Sequence, residues 1–95
     1  MQLRFSDRKV TELKGINAFK NLSELDISGN LLTEEIPELK QLVFLKKLNL
    51  SNNQIINLYP LPTNLEILNL SYNKLKALTP EVTCNLKNLT TLDIT

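Results

Sequence analysis

Histidine is missing from this chain altogether. Its absence removes Ser-His-Asp and Cys-His nucleophilic catalysis, together with the commonest metal ligand. Cysteine occurs once, as Cys84, so no internal disulfide can form. Cys84 has no base near it in sequence and lies between Val82 and Leu86, the setting of a small buried hydrophobe. Gly15 and Gly29 are the only glycines, which excludes a glycine-rich loop around a phosphate. Tryptophan is absent and aromatics make up 5% of the chain, yet an apolar share of 42% still suits a globular core. No apolar run approaches the length of a membrane span. The opening stretch from Met1 to Lys9 has no apolar segment of the kind a secretory leader needs.

Charge of one sign is also lacking: 11 basic residues stand against 10 acidic ones. A non-specific polyanion binder needs clustered positive charge, and Lys46 and Lys47 are an isolated pair, so nucleic acid is not the expected partner. Glu24, Asp26 and Asp93 are too scattered along the chain to hold a metal. Glu34, Glu35 and Glu38 read as a solvated face or a patch for a basic partner. No cofactor is implied, and the chain is expected to be no enzyme.

What is present is a frame. Leu65, Leu68, Leu70, Asn73 and Leu75 stand at the first, fourth, sixth, ninth and eleventh places of a stretch. The same frame returns at Leu45, Leu48, Leu50, Asn53 and Ile55, and again at Leu22, Leu25, Ile27, Asn30 and Leu32. Leu3, Phe5 and Val10 trace a degenerate earlier copy with Arg8 at the asparagine position, and Leu89, Leu92 and Ile94 open a later one. Repetition at so short a period marks a stack of units, none of which can bury its apolar face alone. Alternation in Leu25-Asp26-Ile27 gives each copy a short strand with leucines on one side and polar residues on the other. Stacked in parallel, the strands bury the leucine columns in one interior. Asn30, Asn53 and Asn73 fall where the chain leaves the strand and turns. There an amide can supply both donor and acceptor to backbone groups that no strand partner reaches. These three are the expected structural ladder.

The frame resembles the leucine-rich repeat family, L-x-x-L-x-L-x-x-N-x-L, over nearly the whole chain. The resemblance implies an α/β fold: a right-handed β/α solenoid with a parallel sheet on its concave face and short helical or extended convex segments. Leu13-Lys14-Gly15-Ile16 resembles the short class found in a protein phosphatase regulatory subunit and an axonemal dynein light chain, where the convex side is a turn of 3₁₀ helix. Phe19 and Leu22 are expected to close the first coil. In the second, Pro37 suits the first position of a helix and Leu39, Leu42 and Val43 should face inward. Pro60 and Pro62 push the third convex arm, Leu58 to Thr63, toward an extended path. Thr79-Pro80-Glu81 should start a short helix ending near Leu86.

Residues 1–95 thus read as a single domain of about four coils and the start of a fifth, part of a longer parent. Extracellular members of the family usually carry cysteine-rich caps, and none is seen here. A reducing, cytoplasmic setting is therefore expected, and the sequons at Asn21, Asn49, Asn69 and Asn88 are expected to be by-products of the repeat. In the family, partners usually dock on the concave face. Its columns here would be Gln2, Glu24, Lys47, Ile67 and Thr91, then Arg4, Asp26, Asn49, Asn69 and Asp93. A third would be Ser6, Ser28, Ser51, Ser71 and Thr95, beside Tyr72. Arg4, Glu24, Asp26, Lys47, Asn49, Ile67, Asn69, Tyr72, Thr91 and Asp93 are the candidate partner-binding residues, with Ile67 and Tyr72 as apolar anchors. The expected function is a protein–protein interaction module, a scaffold or regulatory domain without catalysis, and an uncapped C-terminal edge offers a route to self-association. The alternatives are the recognition arm of a larger enzyme, such as a ubiquitin ligase, kinase or GTPase, and a fragment of an extracellular receptor.

Overall fold

A computed structural model describes residues 2–11, 13–33, 37–56, 61–76 and 86–94. Residues 58–60 of the arm expected from Leu58 to Thr63, the helix expected from Pro80, Cys84, Glu34, Glu35 and the side chain of Glu38 lie outside the described residues. Five three-residue strands form one sheet: β1 (Gln2–Arg4), β2 (Glu24–Asp26), β3 (Lys47–Asn49), β4 (Ile67–Asn69) and β5 (Thr91–Asp93). They lie in chain order and every neighbouring pair is parallel. Parallel strands need a return path between them. Here it includes short 3₁₀ turns at Ile16–Ala18 and Pro37–Gln41, and no α-helix occurs among the described residues. Each strand with its return path is one coil, numbered here by its strand.

The register follows the leucines. Leu3, Leu25, Leu48, Leu68 and Leu92 pair in one line across the sheet. Behind them Leu22, Leu45 and Leu65 are fully buried, as are Ile27, Leu50, Leu70, Leu32 and Ile55. Leu39, Leu42 and Leu61 close the core from the return paths. Burying one such side chain contributes about 1.5–3 kcal/mol, and only the adjacent coil can supply the cover. Accordingly the inner strands hide their leucines, while on β5 Leu92 stays 38% exposed. Two apolar residues depart from expectation. Val43, expected to face inward, is 53% exposed. Side chains three apart eclipse in a 3₁₀ turn, so Leu39 and Leu42 share the inner face and Val43 is carried off it. Phe19, expected to close the first coil, follows the Ile16–Ala18 turn and remains 43% exposed.

Beyond β1, β2 and β3 the ladder continues into a turn: Asp7, Gly29 and Asn52 N–H groups donate to the carbonyls of Ser28, Ser51 and Ser71. The turn residue is left-handed in all four described cases, at φ 56 for Asp7, 68 for Gly29, 55 for Asn52 and 58 for Tyr72. Glycine serves two ends at position 29, since a Cβ there would also run into the Asp7 carboxylate of the coil before.

The asparagine after this turn is folded inward. Asn53, 6% exposed, donates from Nδ2 to the carbonyls of Leu50 (3.0 Å) and Ser51 (3.2 Å) in its own coil. It also reaches Ile27 O of the preceding coil at 3.0 Å, and its Oδ1 accepts the Leu32 N–H at 3.1 Å. Asn30 repeats the pattern against Phe5 O, Arg8 N–H and Val10 N–H, and Asn73 against Leu50 O and Ile55 N–H. Replacing Asn53 by Ala strands backbone groups of two coils in the interior, where an unsatisfied group costs about 1–3 kcal/mol. Equilibrium denaturation of Asn53→Ala is expected to show a loss of about 3 kcal/mol, against almost none for the exposed neighbour Gln54→Ala.

Candidate functional site

Side chains that alternate out of the leucine line form the other face of the sheet. Register puts Gln2, Glu24, Lys47, Ile67 and Thr91 in one column and Arg4, Asp26, Asn49, Asn69 and Asp93 in the next. Neighbouring members of a column stand about 4.8 Å apart, the spacing of paired strands. Both columns from β1 to β3, with Ile67 and Asn69 of β4, line a shallow groove whose floor is Leu3, Leu25 and Leu48. Thr91, Asp93 and Tyr72 are not among its lining residues. Of the candidate binding residues, the structure therefore brings together Arg4, Glu24, Asp26, Lys47, Asn49, Ile67 and Asn69. It places Tyr72 apart, on the strand-exit turn and 68% exposed.

The second column is held from beneath. Asn49 Oδ1 accepts both the N–H (3.0 Å) and the hydroxyl (2.6 Å) of Ser51. Asn69 Oδ1 does the same for Ser71 at 3.0 and 2.7 Å, and Asp26 Oδ1 for Ser28 at 3.0 and 2.7 Å. A backbone N–H only donates, so the inner atom of each amide has to be its oxygen. The outer atoms are then Asp26 Oδ2, Asn49 Nδ2 and Asn69 Nδ2: one acceptor followed by two donors, none bonded to a described residue. Three short side chains are thus locked by their own serines and present polar groups with little freedom left to lose. The serine column, expected to be part of the open face, is instead its support. Ser51 and Ser71 are 6% and 5% exposed, because bonding to the Asx side chain two residues back draws each hydroxyl inward.

Charge in the groove is mixed. Lys47 Nζ lies 3.2 Å from Glu24 Oε1, so this pair largely neutralises itself, and an exposed pair of this kind adds little stability. No described carboxylate lies within ion-pair distance of Arg4. Among the described residues, no group of three or more acids or cysteines could hold a metal ion. None of the described helices is long and apolar enough to cross a membrane.

Parallel three-residue strands, a leucine line and an inward asparagine in every full coil define a leucine-rich repeat protein. Residues 1–95 match throughout the family described as the endo-beta-N-acetylglucosaminidase EndoS LRR domain, and the chain belongs to that family. It is also similar to mimecan of Homo sapiens, Bos taurus and Mus musculus, at 36% identity over 75 residues in each case. That match covers 78% of this chain and 25% of mimecan, so the chain spans about a quarter of the length of these curated relatives.

The likeness to mimecan corrects one expectation. Mimecan is a secreted matrix proteoglycan, which points to an extracellular setting and overturns the cytoplasmic one. The single cysteine and the polar opening stretch were weak guides, because 95 residues matching a quarter of such a protein need not contain its caps or its leader. The compartment argument against the sequons falls with it. Those at Asn21 and Asn88 are exposed, whereas Asn49 and Asn69 are tied into the sheet turns.

Because the Ser51 bonds need only the side-chain oxygen, aspartate can replace Asn49 without losing them. Asn49→Ala is expected to cost about 1 kcal/mol in denaturant titration, and Asn49→Asp much less.

Proposed function

We propose that this chain is the protein-docking part of a longer extracellular protein, with residues 1–95 acting as one unit and the groove as its contact surface. Leucine-rich repeat proteins generally bind other proteins, and the observation that carries the reading here is the locked Asx column. Ordering side chains on binding costs about 0.5–1.5 kcal/mol each, and Asp26, Asn49 and Asn69 have met much of that cost in the folded chain. Ile67, half-buried beside them, supplies apolar area, and Arg4 and Asp26 supply charges that have no ion pair among the described residues. Thr91 and Asp93 continue the columns on β5, where a larger partner would reach them. The chain itself carries out no chemistry in this reading.

A second reading has one specific observation in its favour. The family is named for the leucine-rich repeat domain of an endo-β-N-acetylglucosaminidase, so the same groove would serve as the recognition arm of an enzyme whose catalytic part lies elsewhere. In both cases the contact is made by the groove, and an activity in the parent protein separates them.

The inner oxygens hold the fold and the outer atoms face the partner, so the two roles can be split by one atom. Asn49→Asp and Asn69→Asp together turn two outward donors into acceptors and keep the serine bonds. Calorimetric titration with the captured partner is expected to show affinity falling about 10-fold or more, with the melting temperature within a few degrees of wild type. Unchanged affinity would remove the groove from the interface.

A further inference from the structure

Tyr72 is left unexplained by the groove. It occupies the turn position held in the other coils by Asp7, Gly29 and Asn52, all with positive φ. Glycine, asparagine and aspartate tolerate that conformation, whereas a bulky aromatic there is an outlier. The residue is 68% exposed, and its hydroxyl has no hydrogen-bond partner among the described residues. Among the described residues the fold gains no hydrogen bond from this tyrosine, and backbone strain kept at an exposed position points outward, to use.

The surface around it has a definite chemistry. Past the turn, Gln54, Lys74 and Lys76 N–H groups donate to the carbonyls of Leu32, Ile55 and Ile56 at 2.9, 2.9 and 3.2 Å, which keeps coils two to four in register along this flank. Leu31 and Ile56 show 40% and 38% of their surface there. Lys74 and Lys76 are exposed, and neither has an ion-pair partner among the described residues. One aromatic, two aliphatic side chains and two unpaired ammonium groups share a flank set apart from the groove.

We propose that the strand-exit flank of coils two to four is a second docking surface, anchored on Tyr72, for an acidic protein segment that also carries apolar residues. Charge complementarity selects the acidic partner. A nucleic acid would call for a longer cationic track and would leave Leu31 and Ile56 unused. The strain at Tyr72 is then the cost of presenting a rigid aromatic where a partner needs it. The flank reading does not depend on the groove reading, because no residue is shared.

The test uses the intact protein and a fluorescein-labelled peptide of alternating glutamate and leucine, read by anisotropy. Its glutamine counterpart and a single-stranded oligonucleotide of equal length run in parallel. Tyr72→Asn copies the residue of coil three and is expected to weaken peptide binding about tenfold. It should melt at the same temperature as wild type or a few degrees above it. Lys74→Glu with Lys76→Glu, and the glutamine peptide, are expected to weaken binding as much. No binding of the acidic peptide by wild type would overturn the proposal, as would wild-type affinity in Tyr72→Asn. Melting of Tyr72→Asn well below wild type would also overturn it, by showing the tyrosine to be structural. So would tighter binding of the oligonucleotide than of the peptide.

Discussion

Each of the first four coils leaves the sheet through a turn that points backbone carbonyls into the interior, away from water and from any strand partner. One amide side chain per full coil meets them. Asn30, Asn53 and Asn73 donate backward to their own strand and sideways to the coil before, while their oxygens accept the N–H of residues such as Leu32 and Ile55. Without that bridge the leucine columns could still collapse, but the turns would carry buried unsatisfied groups at every step. Apolar burial drives the stack together, and the amides satisfy the backbone of each turn against the coil before.

The outer face depends on the same arrangement at one remove. Because the turn is fixed, Ser28, Ser51 and Ser71 stand where their N–H and hydroxyl groups meet the side chains two residues back. That contact fixes Asp26, Asn49 and Asn69 on the groove. Structure and surface share these residues atom by atom: the inner oxygen belongs to the turn and the outer atom to solvent. Tyr72 shows the opposite relation. Its left-handed backbone is that of the turn all four described coils share, and its exposed side chain makes no hydrogen bond to a described residue.

Extracellular relatives and an endoglycosidase family name widen the contexts in which such a surface would work. Compartment was the point on which the residues misled. Caps and leaders belong to whole proteins, and the repeat itself writes Asn-Leu-Ser wherever a strand asparagine precedes a turn serine, as at Asn49 and Asn69.

Much of the architecture was legible in the residues. A frame of leucines repeated in phase leaves few arrangements other than stacked parallel strands, because the apolar side of one coil has no cover except the next. The columns of the sheet followed from the same phase, since a strand alternates its side chains. Tertiary structure decided what a single coil could not express. Whether Leu39, Leu42 and Val43 all faced inward turned on whether the return was 3₁₀ or α, a difference of a fraction of a residue per turn. Ser51 and Ser71 became buried supports only when the turn drew their hydroxyls onto the Asx side chains. Tyr72 parted from Ile67, although only four residues separate them in sequence, because Tyr72 itself takes the left-handed turn position beyond the strand. Local pattern dictates which residues face the core, and the placement of polar side chains waits on contacts that exist only once the neighbouring turns are in place.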